Sequence, residues 1–306
     1  MTTVHPYTIK TITEFHRLRG LQGPVHPLIS VLRFEDMREL SPDHPRSWVL
    51  DFYAIALKRN FHAKLKYGQQ VYDFDEGVMT FMAPGQKIGV EVSPGEPIEH
   101  EGWLLLFHPD FLWNTPLVKA IRLYEYFDYS VNEALFLSEQ EEVMVTGVIG
   151  QIAQEYNNGI DQYTQKIIAG QLDVLLSYAQ RFYQRQFTTR QIGSHDVLSR
   201  LENVLSGYFD NDQLAERGLP SVVNVAKALH VSPNYLSGQL KTLTGKSTQD
   251  HIHDKLIEKA KEKLSDTTLS ISEVAYALGF DYPQSFSKLF KNKTLISPNI
   301  FRQNVN

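Results

Sequence analysis

Hydrophobic and polar positions change their period along the chain. From about Pro24 to Leu106, apolar residues come in short runs separated by turn residues. Trp48 to Leu57 is almost continuously apolar and aromatic, and Ala63 to Tyr67 alternates. Gly68, Glu76–Gly77, Pro84–Gly85 and Pro94–Gly95 fall between such runs. Short runs bounded by Gly and Pro read as β-strands, and several in succession predict a small β-sandwich or barrel. Gly102 to Phe107 predicts one more buried strand, stopping at His108–Pro109.

After Pro116 the period becomes helical. Ser138 with Glu141 three residues on has the form of a capping box, predicting a helix through Tyr156 that Asn157-Asn158-Gly159 ends. A second helix is expected from Asp161 to Gln186, with Ile167, Ile168, Leu172, Leu175, Leu176 and Ala179 on one stripe. That stripe is wide enough for its own domain and a partner helix, so this segment is expected to form a dimer. Thr188 to Ser194, polar and containing Gly193, reads as a linker.

The last hundred residues contain a near-repeat. Ser221, Val222, Val225, Ala226 and Leu229 match Ser270, Ile271, Val274, Ala275 and Leu278 at an offset of 49. Pro233, Leu236, Ser237, Leu240 and Lys241 match Pro283, Phe286, Ser287, Phe290 and Lys291 at an offset of 50, so the second copy has one extra residue in its turn. Each copy reads as a helix–turn–helix: Ser221 or Ser270 opens a short amphipathic helix, and Ala226 or Ala275 lets a second helix cross closely. Ser232 or Asp281 ends the turn, and a proline enters the first turn of the second helix. That helix buries Leu236, Leu240 and Leu243, or Phe286 and Phe290. Its other face carries Asn234, Ser237 and Lys241, or Gln284, Ser287 and Lys288. Amides and lysines on one exposed face suit a DNA major groove. Between the copies, Thr248 to Leu264 predicts a helix of roughly 25 Å with Ile252, Leu256, Ala260 and Leu264 on its inner face.

Ala228-Leu229-His230-Val231-Ser232-Pro233, Tyr235-Leu236-Ser237, Thr244-Gly245, Ala260-Lys261, Leu269 to Ala275, Gly279-Phe280, Phe290-Lys291, Ser297-Pro298 and Phe301-Arg302 occur in this order and spacing. Through them, residues from about Asp196 to Arg302 resemble the DNA-binding domain of the AraC/XylS transcriptional regulators. The resemblance implies seven helices, two helix–turn–helix units and recognition through Asn234, Tyr235, Ser237, Gly238 and Lys241, then Gln284, Ser285, Ser287, Lys288 and Lys291. Gly238 stands where the family often has a basic residue, and Leu295 where glycine usually precedes Ser-Pro. Gly102-Trp103 and Phe107-His108-Pro109-Asp110-Phe111 resemble more loosely the cupin-like sensor domains of the same family.

Charge supports this division. Of 30 basic and 35 acidic residues, residues 221–306 hold 11 and 7, so this end carries +4 and the remainder −9. Absence of cysteine excludes disulfide scaffolds, thiolate metal sites and cysteine nucleophiles. No apolar run approaches the ~20 residues of a membrane span, and no secretory signal is evident, so a cytoplasmic location without membrane contact is expected. His251-Ile-His253 has i, i+2 spacing, which turns the rings apart on a helix. His62, His100 and His108 read as turn or core residues, and Asp73, Asp75 and Glu76 as a solvated turn. No catalytic residue, metal site or cofactor is expected.

The expected fold is α+β and multidomain. It comprises a cupin-like β-barrel or sandwich over 1–136, a helical dimerisation segment over 137–187, a linker over 188–195 and an all-α DNA-binding domain over 196–306. Phe52, Tyr53, Tyr67 and Phe81 are candidates to line an effector pocket. The function expected is sequence-specific binding of double-stranded DNA by a homodimeric regulator that works with RNA polymerase and responds to a small-molecule effector. Two alternatives are a cupin-type metalloenzyme fused to a DNA-targeting module and a ligand-independent architectural binder.

Overall fold

The computed structural model describes residues 7–38, 47–59, 66–67, 70–71, 77–89, 101–129, 133–189, 191–209, 214, 218–266 and 268–305. The chain divides into two compact units, 1–186 and 187–306. Residues 60–65, 68–69 and 72–76 fall outside the description, and with them His62, most of the alternating run from Ala63, and the acidic turn at 73–76. His100 lies outside it too.

The N-terminal unit contains a five-stranded antiparallel sheet. Its strands are β2 (Ile29–Arg33), β4 (Tyr53–Arg59), β7 (Val78–Met82), β9 (Glu101–Phe107) and β10 (Leu135–Phe136), in the order β10-β7-β4-β9-β2. A three-stranded sheet pairs β3 (Ser47–Leu50) with β1 (Tyr7–Ile9) in parallel and with β8 (Lys87–Gly89) antiparallel. A two-stranded ladder joins β5 (Lys66–Tyr67) to β6 (Gln70–Val71). The apolar run from Trp48 to Leu57, read as continuous, is broken at Asp51–Phe52, and its halves enter different sheets.

Both sheets contribute to one core. Ala54, Ala56, Leu104 and Leu106 from the larger meet Trp48 and Leu50 from the smaller. Ile12 and Phe15 of helix α1 (Ile12–Leu18) close the side. Alanines on the central strand leave room for the bulky Trp48 and Leu50 of the smaller sheet, which is how a sandwich core interdigitates. Gly102 shows how close the backbones come: its φ is +130°, and a Cβ there would lie 2.1 Å from the Leu57 carbonyl oxygen.

A short helix α2 (Leu117–Ala120) and two long ones follow, α3 (Glu139–Asn157) and α4 (Thr164–Thr189). The capping box forms as the spacing predicts, Ser138 accepting from the Glu141 N–H and Glu141 from the Ser138 N–H. Distant bonds fix α4 to its own unit. Tyr126 donates to the Leu176 carbonyl at 2.8 Å, Gln186 bonds the backbone of Ala134 and Phe136, and Arg185 pairs with Glu141. Ile168, Leu172, Leu175, Leu176 and Ala179 are all completely buried inside this unit. The part of the expected stripe left outside is Ile167, which with Val174 is exposed on the other side of the helix. A stripe of aliphatic residues is spent first on the nearest core, here that of its own unit.

Residues 188–195, read as linker, are helical on both sides of position 190. Thr188 and Thr189 end α4, and α5 (Gln191–Phe209) opens the C-terminal unit. Gly193 lies within α5 despite a helix cost of about 1 kcal/mol against alanine. In this unit α6 (Val222–Leu229) and α7 (Pro233–Thr244) form one pair, and α9 (Ile271–Ala277) and α10 (Pro283–Thr294) the other. The helix α8 (Thr248–Ser265) stands between them and α11 (Pro298–Val305) ends the chain. One core runs through all of it: Val225, Ala226, Leu236, Leu240, Ile252, Leu256, Ala260, Leu264, Val274, Ala275, Phe286 and Phe290 are each at most 1% exposed. Among the described residues, no helix is long and apolar enough to cross a membrane.

Candidate nucleic-acid interface

The two helix pairs share backbone chemistry at the start and end of the first helix and at the end of the second. Ser221 caps α6 by accepting the Asn224 N–H, and Ser270 and Glu273 form a capping box on α9. Each first helix ends in a left-handed residue, His230 (φ 60°) or Gly279 (φ 81°), at offset 49. The bonds there are equivalent. His230 N–H donates to Lys227 and Val231 N–H to Ala226; Gly279 N–H donates to Tyr276 and Phe280 N–H to Ala275. Each second helix begins on a proline and also ends left-handed, at Gly245 (φ 73°) or Leu295 (φ 67°), at offset 50.

The copies differ where the extra residue lies. Ser232 caps α7, accepting the Tyr235 N–H at 3.2 Å. In the second copy Asp281 precedes the N-cap of α10, which is Tyr282 and makes no side-chain cap bond. The inserted residue shifts an aromatic into the capping slot, where no short acceptor is available.

A single stripe emerges on each second helix. Asn234, Gly238 and Lys241 on α7 stand at i, i+4 and i+7, as do Gln284, Lys288 and Lys291 on α10. Gln284, Ser285, Lys288 and Lys291 are exposed, and Ser287 is half-buried. On α7, Lys241 is exposed and Asn234, Ser237 and Gly238 are half-buried. Each stripe therefore starts on an amide and ends on a lysine, but only the second has a cation in the middle.

Two residues taken for readers are committed elsewhere. The Ser237 hydroxyl lies 2.9 Å from that of the buried Thr248, fixing α7 to the start of α8. Tyr235 is 2% exposed and meets Phe187 edge-on at 5.1 Å, so its ring belongs to the core rather than to the groove-facing side. One step past Asn234 turns a helical side chain by roughly 100°, enough to move it from the outer face to the inner.

The spacing of residues gave no sign of an ionic knot on α8. Lys246, just after α7, pairs with Asp254 at 2.7 Å. Lys293, in the last turn of α10, pairs with Asp250 and Asp254 at 3.0 Å each. Asp250 also completes the capping box on α8. Its carboxyl is held well below the usual range, first by the Ser247 hydroxyl and then by Lys293. Burial pushes Asp254 up, but its bonds to Lys246 and Lys293 outweigh that and hold it low. The partners come from both copies and from the helix between them, so no periodicity within one segment reveals them. Lys288 and Lys291 enter no ion pair among the described residues. Nearby, His251 bonds Thr244 and His253 bonds Gln249, so the two rings part as their spacing requires.

Of the candidate effector residues, Phe52 and Phe81 are at most 4% exposed. Both pack in the core, while the half-buried Tyr53 stacks on Phe107 at 5.0 Å and meets Phe127 edge-on. The Tyr67 side chain lies outside the described residues. His108 accepts the Asp110 N–H and caps the turn at Pro109–Leu112.

Leu295 makes a testable exception. A non-glycine residue in the left-handed region costs about 1–2 kcal/mol, and Leu295, 83% exposed, recovers little of that by burial. Leu295→Gly is therefore expected to stabilise the C-terminal unit by roughly 0.5–1 kcal/mol after the glycine's extra unfolded-state entropy is subtracted. Urea unfolding of the full chain measures it, and an unchanged or lower midpoint would contradict the strain argument.

With two such pairs and a strut between them, the C-terminal unit is a helix-turn-helix domain, and residues 225–304 match the family model of that description. The chain is 34% identical over 82 residues to the HTH-type transcriptional regulator YobQ of Bacillus subtilis (strain 168). That match takes in 27% of this chain and 34% of YobQ. It is 29% identical over 215 residues to the HTH-type transcriptional regulator YfiF of the same organism, covering 70% of this chain and 52% of YfiF. It is 35% identical over 92 residues to the arabinose operon regulatory protein of Escherichia coli (strain K12), covering 30% of this chain and 31% of that protein. The chain thus spans about a third to a half of these relatives' length.

Proposed function

We propose that the chain is a transcription regulator of the AraC/XylS kind that binds double-stranded DNA through α7 and α10. The observation that carries this reading is the pair of equivalent stripes, Asn234–Gly238–Lys241 and Gln284–Lys288–Lys291, each on the second helix of a capped helix–turn–helix. The positive balance of the C-terminal segment and the regulator names of the relatives support it. A cytoplasmic location, work alongside RNA polymerase and the absence of a catalytic step belong to the same reading.

The N-terminal unit is read as a cupin-like sensor, a reading supported by two sheets closing over one core. Copies are proposed to pair through the outer side of α3 and α4. There a groove lined by Val148, Ile167, Gly170 and Val174 leaves apolar surface exposed, with Ile167 at 42% and Val174 at 47%. This replaces Leu172 and Leu176 as the pairing residues, since both are wholly buried.

Binding over a randomised site library tests the DNA reading. Gln284→Ala is expected to change which bases are preferred, because an amide at the start of a groove helix reads an adenine edge for ~1–3 kcal/mol. Lys241→Ala is expected to weaken all sequences alike and to reduce the salt slope by about one. Equal, sequence-independent losses in both variants would reject the assignment. Bound iron in the purified protein would instead favour the metalloenzyme reading.

A further inference from the structure

The N-terminal unit holds a cavity of ≈ 290 Å³ that none of the expected effector residues lines. It opens where the start of β2, the turn at Pro109–Leu112, the end of α3 and the first turns of α4 meet. Its volume is at the low end for small-molecule sites, which run from ~300 to 1,000 Å³. Ile29, Phe111 and Ile168 form apolar walls, each at most 2% exposed, and Ile160 stands half-exposed at the rim.

Most polar groups around the cavity are already satisfied. Thr164 and one carboxylate oxygen of Asp161 bond each other and the backbone at the start of α4. The Gln165 amide donates to the carbonyls of Phe111 and Trp113. Two donors remain. Tyr156 is 5% exposed; its oxygen accepts the Val25 N–H at 2.7 Å, and its own proton has no acceptor among the described residues. A buried donor left in that state is costly unless something accepts from it. His26 Nδ1 accepts the Leu28 N–H at 3.1 Å, so the neutral ring carries its proton on Nε2 and offers that as a donor. Burial lowers the His26 pKa, favouring the neutral ring.

We propose that this cavity binds a small, uncharged, mainly apolar molecule that presents one carbonyl or ether oxygen to Tyr156 and His26. An anion is disfavoured because no lysine or arginine lines the cavity, whereas Asp161 does. The walls select hydrocarbon or aromatic surface, and the two donors select an acceptor. The proposal deepens the sensor reading and rests on it only for the consequence of binding. The helix α4, whose first turns line the cavity, runs on to the residues where the C-terminal unit begins.

Calorimetry on the full chain tests it with three probes of similar size: acetophenone, ethylbenzene and benzoate. Acetophenone is expected to bind at least about fivefold more tightly than either of the others. Tyr156→Phe should weaken acetophenone about fivefold to tenfold, the value of one hydrogen bond, and leave ethylbenzene unchanged. Ile160→Trp, at the rim, should abolish both while the thermal transition stays in place. The proposal is overturned by no binding of acetophenone up to about 10 mM, by equal affinity for acetophenone and ethylbenzene, by tighter binding of benzoate, or by acetophenone binding that ignores both substitutions. DNA affinity with and without acetophenone is read separately, so a probe that binds without changing it leaves the cavity assignment standing and removes only the regulatory consequence.

Discussion

Leu172→Glu is expected to abolish the cooperative thermal transition of the N-terminal unit, while Ile167→Glu and Val174→Glu leave that transition intact. Leu172 is 0% exposed, and truncating such a leucine alone costs about 2–5 kcal/mol. Glutamate adds the burden of a carboxylate without a partner in an apolar core, taking the total beyond ~4 kcal/mol, a large part of a typical domain's stability. Ile167 and Val174 lie on the same helix at 42% and 47% exposure, where a carboxylate keeps its water. If copies pair through that face, these two variants are monomers of normal stability. Calorimetric melting with light scattering distinguishes all three. A folded Leu172→Glu protein that has merely lost its partner would restore the buried stripe as the pairing surface.

Gly279→Ala is expected to destabilise the C-terminal unit by about 2–4 kcal/mol. A φ of 81° alone costs an L-residue about 1–2 kcal/mol, and the added Cβ would lie 2.7 Å from the Leu214 carbonyl oxygen, a backbone atom with little freedom to retreat. His230 has the equivalent backbone in the first copy and tolerates a side chain because it faces solvent. Gly279 has the same conformation but faces the backbone of residues 214 and 218. Urea unfolding measures the loss, and a change below about 1 kcal/mol would show that the neighbouring backbone yields.

The C-terminal unit was legible because its signals are local. Serine caps, prolines at helix starts and the i, i+3, i+4 spacing of Val222, Val225, Ala226 and Leu229 each act within a few residues, and duplication repeats them. The N-terminal sheet order was not, since β4 finds β7 and β9 by contacts that no short window contains. The same limit applies to the site. The amide–lysine stripes follow from helical period once the helices are placed. Which neighbour covers Tyr235, or receives the Ser237 hydroxyl, is decided by Phe187 and Thr248, one of them 48 residues away in sequence. The stripe on α4 misled for a related reason: periodicity shows that a face is apolar but not which surface it meets.

Asp254 receives Lys246 from the end of one helix–turn–helix and Lys293 from the other, so a single side chain on α8 restrains both. For a domain that engages a duplex through both copies, this bears on timing as well as on strength. Once the first helix has docked, the second arrives already aimed, and its search for orientation has been completed during folding. If both copies read bases as proposed, binding then approaches an all-or-none event, and the distance between the two base clusters is inherited from the length of α8. Moving those clusters apart by one base pair would turn the second about a tenth of a turn away from its helix.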